Sequence, residues 1–575
     1  MKRFDYIKTG KRDCRDCNKC IRECPVKALR VEETSAQVVP ELCILCGNCI
    51  VSCPSKAKQV CDDLTTVKAL LKCRRSVIVS LDPSFAAQYP GVRPEQLIRA
   101  LKMLGFFAVS ETALGAQQVS ASVLSLIKNG PKQAWISSAC PAVVDFICKY
   151  HPEYLPHLCG VLSPVLAHCK MLRACYGNDI AIVFIGPCVA EKKEAEEHPE
   201  LLDLALTFED LDVWLSVKHI RLDEIVTTRD DRFEPETAQE GALFPIEGGM
   251  ALGMTGNHGA GDLEFLSVSG IANVEQALKD IPQWDSTHNI FLEMRACAGS
   301  CINGPMASRN MSLARRRHEV IHYAKPAGEL PRKASLDIAR QYAAAPIVRN
   351  EYSEEQLREA LRTVGKYSVE DELNCAGCGY DTCRDFAHAL IEGSAERMMC
   401  ASYTRMMARK KAVALLERIP SAVVIVGEGM KIVEWNSNFS RLFSADNEQS
   451  KNLEGSALGD VIPFSNLFRR VLDSGEDIVS HDIRYRRRIL NASIFTIEPH
   501  SVIGGVFQDI TEPTFQKEQI IGRAQEVIQK NLKTVQQIAF LLGENAADSE
   551  IILNSIVHSF SPEEVDDSDA GGDGE

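Results

Sequence analysis

Sixteen of the 22 cysteines in this 575-residue chain fall into groups whose spacing suits metal clusters. Two runs near the N-terminus share the pattern CxxCxxCxxxCP, and a later run has the spacing Cx2Cx4Cx16C. Thiolate sulfur is a soft ligand that suits cluster iron, so these groups predict iron–sulfur chemistry and electron transfer. The candidate ligands are Cys14, Cys17, Cys20, Cys24, Cys43, Cys46, Cys49, Cys53, Cys140, Cys188, Cys297, Cys301, Cys375, Cys378, Cys383 and Cys400.

The two N-terminal runs form an internal repeat in a ferredoxin-like pattern over residues 1–62. In this pattern the fourth cysteine of each run binds the cluster of the other run. Zinc is less suitable, because zinc sites close with four ligands and do not need interleaved CxxCxxC runs. The predicted ligand sets for two 4Fe-4S clusters are Cys14, Cys17, Cys20 and Cys53 for one, and Cys43, Cys46, Cys49 and Cys24 for the other.

Length and charge limit the classes of function. A chain of 575 residues is too long for one hydrophobic core, so several domains are expected. The net charge of −14 disfavours nucleic acid as a partner, because phosphate binding needs a basic surface. No apolar run approaches the ~18 residues that span a bilayer, and the polar N-terminus is unlike a secretory signal. We expect a cytoplasmic protein without a membrane partner, whose cysteines stay reduced.

Residues 63–345 alternate between short apolar strands and amphipathic helices, which predicts an α/β domain. Cysteines follow the strands closely, and sheets of this type place ligand sites at the carboxyl ends of their strands. This position favours a site over core packing for the four cysteines of the domain. The expected strands are 76–81, 133–137, 180–185 and 264–268.

Three segments of this domain resemble the three signatures of iron-only (FeFe) hydrogenases. They are SSACPA at 137–142, GPCVAEKKE at 186–194 and EMRACAGSCING at 293–304. The resemblance implies an H-cluster, in which four cysteines bind a 4Fe-4S cluster and the last one bridges to a di-iron unit carrying CO, cyanide and a dithiolate. It assigns these roles to Cys140, Cys188, Cys297 and Cys301, with Cys301 as the bridge.

The resemblance also implies contacts around the di-iron unit. Pro83 and Ser84 lie in a segment similar to the family's loop that contacts a diatomic ligand, and Pro187 precedes the second-signature cysteine. The family usually has a lysine three residues after that cysteine, where it hydrogen-bonds a cyanide. Glu191 occupies this position and should alter the potential of the di-iron unit. The neighbouring Lys192 is a candidate catalytic residue in its place.

The first signature departs from the family at one position. Active members carry two adjacent cysteines there, and the first passes protons to the amine of the dithiolate. Ala139 occupies this position, and a methyl group cannot transfer a proton. Loss of one general acid typically lowers a rate by ~10²- to 10⁴-fold, so slow turnover is expected, as a sensor requires.

Two further departures affect the same region. Gly186 and Arg295 stand where the family has methionines two residues before a ligand cysteine. Cys159 occupies a serine position of the family's proton path. Its thiol could relay protons by another route, and an ordinary buried cysteine is the alternative.

Residues 346–410 are predicted to hold a linker helix, over 353–364, and a third cluster module. The spacing of Cys375, Cys378, Cys383 and Cys400 resembles a small 4Fe-4S domain of electron-transfer and corrinoid-linked proteins. A helix over 384–399 is expected to bring Cys400 back to the other three cysteines. A zinc ribbon is the alternative.

Residues 411–513 resemble a PAS domain, on the segments IPSAVVIV at 419–426, KIVEWN at 431–436 and VFQDIT at 506–511. PAS domains sense small ligands or relay signals through dimers. A heptad pattern over 514–545 predicts a coiled-coil helix that would support a homodimer, and a helix packed on its own sheet is the alternative. Residues 546–575 form an acidic tail that is expected to be disordered.

These observations predict a multidomain α/β and α+β protein that acts as a sensory FeFe hydrogenase. Its substrates would be H2 and protons, and a redox partner protein would exchange electrons with it. The 32 residues after Gly543 are too few for a kinase domain, so a separate partner is expected to provide the output. The resemblance implies that this partner is a regulatory kinase or phosphatase. The alternatives are a catalytic ferredoxin-linked hydrogenase with another proton path, and an iron–sulfur redox sensor without a di-iron unit.

Overall fold

The computed structural model describes residues 5–511, with short gaps, and a helical stretch at 526–535. The chain divides into two compact units, Met1–Met399 and Cys400–Glu575. Within the described part of the chain, no helix combines the length and apolar character needed to cross a membrane. The gaps are at 11, 33–34, 75, 256–262, 285–286, 326–329, 331 and 444–451.

The N-terminal repeat folds into two antiparallel pairs of short strands, in which β1 pairs with β4 and β2 pairs with β3. A short helix begins inside each cysteine run, directly after a residue in the left-handed region, Asn18 or Gly47. The sequence repeat is therefore also a structural repeat. Its elements are β1 (Ile7–Thr9), α1 (Lys19–Arg22), β2 (Leu29–Glu32), β3 (Ser35–Val38), α2 (Asn48–Ser52) and β4 (Lys58–Val60).

The central region contains two parallel sheets, with strand orders β6-β5-β8-β9 and β10-β11-β7. The α/β layout and all four predicted strands are confirmed. Three further strands, β6, β9 and β11, were not predicted. The strands are β5 (Val77–Leu81), β6 (Ala108–Glu111), β7 (Ala134–Ile136), β8 (Ala181–Gly186), β9 (Leu204–Thr207), β10 (Leu263–Ser269) and β11 (Asn289–Arg295).

Helices cover these sheets and follow the strands closely. The strands β5 and β8 are buried at every position, as expected for parallel strands covered on both faces. Helix α7 begins directly after Cys140, and α9 begins two residues after Cys188, so these cysteines lie in tight strand-to-helix turns. The helices are α3 (Leu64–Cys73), α4 (Phe85–Gln88), α5 (Pro94–Met103), α6 (Ala113–Asn129), α7 (Pro141–Tyr150), α8 (Pro164–Tyr176), α9 (Ala190–Glu197), α10 (Phe208–Val217), α11 (Gly249–Thr255), α12 (Ile271–Asp280) and α13 (Leu313–Tyr323).

The third module contains two helices, α14 (Glu354–Arg362) and α15 (Cys383–Ile391), which pack through Leu357, Leu361 and Ala387. The linker helix expected over 353–364 is confirmed by α14. The helix expected over 384–399 is wrong in its second half, because α15 ends at Ile391. Gly393 then adopts a φ of 67°, which reverses the chain before a short 3₁₀ turn at Arg397–Met399.

The second unit has a five-stranded antiparallel sheet with the order β13-β12-β16-β15-β14. Phe439, Phe468 and Phe507 are central to its core. Helix α16 continues across the boundary predicted at 410. The elements are α16 (Ala401–Arg418), β12 (Ala422–Gly427), β13 (Lys431–Trp435), α17 (Ser437–Phe443), α18 (Leu458–Val461), α19 (Ser465–Ser474), β14 (Ile478–Tyr485), β15 (Arg488–Glu498) and β16 (Val502–Asp509).

Most of the predicted coiled-coil helix lies outside the described residues, apart from the helical stretch at 526–535. The acidic tail lies entirely outside them. Both therefore stay predictions.

Candidate metal centres

A cavity lies at the carboxyl ends of strands from both central sheets. It is lined by Cys140 after β7, Cys188 after β8, and Cys297 and Cys301 after β11. Asp82 and Thr112 enter it from the ends of β5 and β6. The structure thus brings together the four cysteines predicted to bind the H-cluster, from three distant segments of the chain.

The surroundings of the four cysteines in this cavity disfavour isolated thiolates. Burial raises the pKa of Cys301 to about 12. Burial, the nearby Glu191 and the other cysteines raise the pKa of Cys188 well above its usual value. Burial and the neighbouring cysteines do the same to the pKa of Cys297. Thiolates here would need cationic partners, which cluster iron supplies.

Only some of the other residues predicted to contact the di-iron unit line the cavity. Ala139 and Pro187 line it directly. Pro83 and Ser84 are not among the lining residues. The Ser84 backbone N–H donates to Asp82 Oδ1 at 2.8 Å, so Ser84 fixes the orientation of a carboxylate that does line the cavity.

Glu191 lines the cavity and carries a buried carboxyl oxygen, Oε2, without a hydrogen-bond partner among the described residues. Burial and the nearby Glu194 raise the pKa of Glu191 well above its usual value. The surroundings of Glu191 therefore favour its neutral form over its carboxylate.

Neither lysine beside Glu191 reaches the cavity. Lys192 Nζ lies 2.8 Å from Asp63 Oδ2 and 3.2 Å from Asp210 Oδ2. Lys193 Nζ donates to Asp145 Oδ1 at 2.7 Å. Both ammonium groups are held by carboxylates elsewhere, so we assign Lys192 no catalytic role.

Cys159 is fully buried in the hydrophobic core that also contains Ala139 and Val165. Burial raises the pKa of its thiol far above the usual value. These surroundings favour the alternative of an ordinary core cysteine over a proton relay.

The N-terminal cysteines group across the two runs. Cys20 is close enough to Cys14, Cys17 and Cys53 for their charges to raise its pKa, although burial is the larger cause. The pKa of Cys49 is raised in the same way, first by burial and then by Cys43, Cys46 and Cys24. This is the interleaved grouping that the spacing predicts.

The second of these groups adjoins the central cavity. Cys46 lines the cavity, and its charge contributes to the raised pKa of Cys297, whose main cause is burial. Electrons could therefore pass between the N-terminal module and the central cavity over a short distance.

The CxxC loop of the third module packs on the N-terminal module. Lys27 Nζ donates to the Gly379 carbonyl oxygen at 2.8 Å. Gly379 has a φ of 97°, and a side chain there would meet Ile21 at 3.0 Å. Tyr380 is buried near both Cys378 and Cys24, which raise its pKa in addition to burial.

The four cysteines of the third module lie on both sides of the boundary at residues 399 and 400 in the chain. Cys375, Cys378 and Cys383 belong to the first unit, and Cys400 is the first residue of the second. The Cys383 backbone N–H donates to Asn374 Oδ1 at 2.8 Å, which fixes the start of α15. Cys400 directly precedes helix α16.

Three family models match separate parts of the chain. Residues 72–305 match the iron-only hydrogenase large subunit, C-terminal domain. Residues 13–57 match the 4Fe-4S dicluster domain, and residues 371–402 match a family described as an Fe-S cluster. The chain is therefore an FeFe-hydrogenase-like iron–sulfur protein, with a dicluster domain before the hydrogenase domain and a small iron–sulfur domain after it.

Two curated relatives differ in how much they share with the chain. The periplasmic Fe hydrogenase large subunit of Nitratidesulfovibrio vulgaris is 23% identical over 367 residues, covering 52% of this chain and 86% of that protein. The cytosolic Fe-S cluster assembly factor nar1 of Aspergillus fumigatus is 34% identical over 101 residues, covering 16% of this chain and 17% of that protein.

Two solved structures illustrate the comparison with known folds. An FeFe-hydrogenase from Chlamydomonas reinhardtii gives a TM-score of 0.39 at 16% identity, covering 50% of this chain and 100% of that one. The LOV protein of Rhodobacter sphaeroides gives a TM-score of 0.18 at 13% identity, covering 27% of this chain and 94% of that one.

Proposed function

We propose that this chain is a sensory FeFe hydrogenase, which binds and slowly oxidises H2 and reports H2 or redox state to a separate regulatory partner. The observation that carries the proposal is Ala139 in the wall of the four-cysteine cavity. A cavity that can bind the substrate but lacks the usual proton donor suits detection better than turnover.

A di-iron unit bound beside the four cysteines would supply heterolytic cleavage of H2. The protein residues would hold and shield it. Cys140, Cys188, Cys297 and Cys301 would hold the 4Fe-4S part, with Cys301 also the bridge. Ala139 presents only a methyl group, so protons would cross this wall slowly.

The second unit supports a signalling role. Its antiparallel strand order, 2-1-5-4-3 when counted within the unit, and the helices between its second and third strands are typical of a PAS domain. We propose that it signals through contacts with a second copy and with a kinase or phosphatase, in the cytoplasm.

Helix α16 offers a route from a cluster ligand to this sheet. It begins directly after Cys400 and ends where buried Asn436 binds its last turn. Asn436 Nδ2 donates to the Leu416 carbonyl at 3.0 Å and to the Ser421 carbonyl at 2.9 Å. A change in the position of Cys400 would therefore be transmitted to β12 through one continuous helix.

Infrared spectroscopy combined with turnover measurements tests the proposal. The protein, reconstituted anaerobically with a di-iron cofactor, should show CO and cyanide bands that shift under low H2, with slow H2 oxidation. The A139C variant should raise turnover by ~10²-fold or more, because it restores a thiol that can transfer protons. The A195C variant is the matched control, since Ala195 is buried but does not line the cavity.

Two outcomes would contradict the sensor. Fast turnover in the unmodified protein would favour the catalytic alternative. Glu191 lines the cavity and is the candidate proton donor for that alternative, so E191Q should then be slow. Absence of diatomic bands after reconstitution would leave an iron–sulfur redox sensor without a di-iron unit.

A further inference from the structure

The cavity contains a buried guanidinium group whose hydrogen-bonding capacity is largely unused. Arg295 is the last residue of β11 and is 1% exposed. Its Nε and Nη1 have no hydrogen-bond partner among the described residues. Only Nη2 is engaged, with Glu293 Oε1 at 3.3 Å and the Phe244 carbonyl at 3.5 Å.

The charge of Arg295 is only partly compensated by protein. Glu293 is buried beside it, and the Phe244 ring lies 4.1 Å below the guanidinium carbon. A buried arginine with free N–H groups is costly unless an acceptor is present. The free donors therefore indicate that something other than protein occupies their side of the cavity.

Arg295 is also the one cation among the described residues that line this cavity. Lys192 and Lys193 are held by carboxylates elsewhere. The ionisable acids in the wall are Asp82 and Glu191, and Asp82 accepts hydrogen bonds from Ser84. An anionic group in the cavity would find its only charged donor at Arg295.

We infer that Arg295 binds an anionic diatomic ligand of the di-iron unit, a cyanide, through its free Nε–H and Nη1–H groups. The positive charge that the cyanide requires would then come from the end of β11, and not from helix α9, where Glu191 stands. This inference rests on the proposed function, since it requires a di-iron unit in the cavity. Guanidinium N–H groups are strong, charge-assisted donors to such an acceptor.

The test compares the infrared bands of reconstituted wild-type, R295M and R295K proteins. Loss of the positive charge in R295M should increase back-donation from iron, so the CO bands should move to lower wavenumber and the cyanide bands should shift. R295K keeps the charge and should shift the bands less. Retention of the di-iron complex after desalting should fall by ~10-fold or more in R295M, because a charge-assisted hydrogen bond is lost.

The R173M variant is the matched control. Arg173 is partly buried and pairs with Asp203, but it does not line the cavity. Its bands should equal those of the wild type. Iron content before addition of the di-iron complex, and circular dichroism, should show that each variant is folded and holds its 4Fe-4S clusters.

The outcomes separate the two proposals. If the wild type shows the diatomic bands and both R295M and R295K show the same bands, the role of Arg295 is overturned. The hydrogenase proposal then stays intact. Absence of bands in the wild type would overturn the di-iron unit and the role of Arg295 together. If R295M fails to fold, R295Q is the second neutral variant. A band shift in R295Q relative to the wild type supports the inference, and unchanged R295Q bands overturn it.

Discussion

At the scale of single residues, three side chains give the cavity a different chemistry from the one that the resemblance to iron-only hydrogenases leads one to expect. Ala139 removes a thiol, Glu191 places an acid where the resemblance leads one to expect a lysine, and Arg295 supplies a cation from another element. Sequence reasoning found the first two exchanges with their chemistry. It noted Arg295 but could not see that its side chain is buried with free donors, because burial depends on residues distant in the chain.

His168 illustrates how a buried polar residue supports the same region. Its Nδ1 lies 2.8 Å from Ser80 Oγ and its Nε2 lies 2.9 Å from Ser110 Oγ. Ser80 Oγ is in turn 2.7 Å from Thr112 Oγ1, and Thr112 lines the cavity. A neutral imidazole therefore fixes the ends of β5 and β6.

Acid should destabilise the protein through His168. Burial lowers its pKa to about 3, whereas the unfolded chain takes up a proton below about 6.5. The stabilising contribution is thus complete above pH ~6.5 and is lost as pH falls, at up to about 1.4 kcal/mol per pH unit. Thermal unfolding at pH 7 and pH 5 should show a smaller acid-induced decrease in H168Q than in the wild type. Equal decreases in the two proteins would refute this role.

At the scale of elements, the third module depends on one close contact. The G379A variant should weaken its packing on the N-terminal module, because the added methyl group would meet Ile21 at 3.0 Å. Hydrogen exchange should increase around both Gly379 and Ile21. The G177A variant is the control, since Gly177 also has a positive φ, 86°, but has open space around it. An equal response to both substitutions would mean that backbone strain alone is responsible.

The elements show what the sequence could and could not predict. Buried strands such as β5 and β8 are continuous apolar runs, so they were found. β6 and β9 are only four residues long and were missed. The division of the strands between two sheets was also missed, since pairing depends on contacts between distant segments. Helix α15 was predicted too long because Gly393 was not recognised as the residue that reverses the chain.

At the scale of the whole molecule, the 16 candidate ligand cysteines predict four cluster sites. A chain loaded with all its 4Fe-4S clusters but no di-iron unit should contain about 16 iron atoms, four for each site. The C375S/C378S double variant should contain about 12, because only the third module loses its ligands. Iron and acid-labile sulfide assays measure both values. An unchanged iron content in the double variant would exclude a cluster at that module.

Helix α16 has a consequence for the proposed partner as well as for the proposed cluster at Cys400. It is 18 residues long, about 27 Å, and begins directly after Cys400. Its last turn is hydrogen-bonded to Asn436, which follows strand β13 of the sheet. Thermodynamic linkage works in both directions, so a partner that prefers one oxidation state of the cluster must also shift its midpoint potential. A tenfold difference in partner affinity corresponds to about 59 mV for a one-electron couple. In the proposed sensor, a bound partner would thereby help to set the hydrogen concentration at which the protein responds.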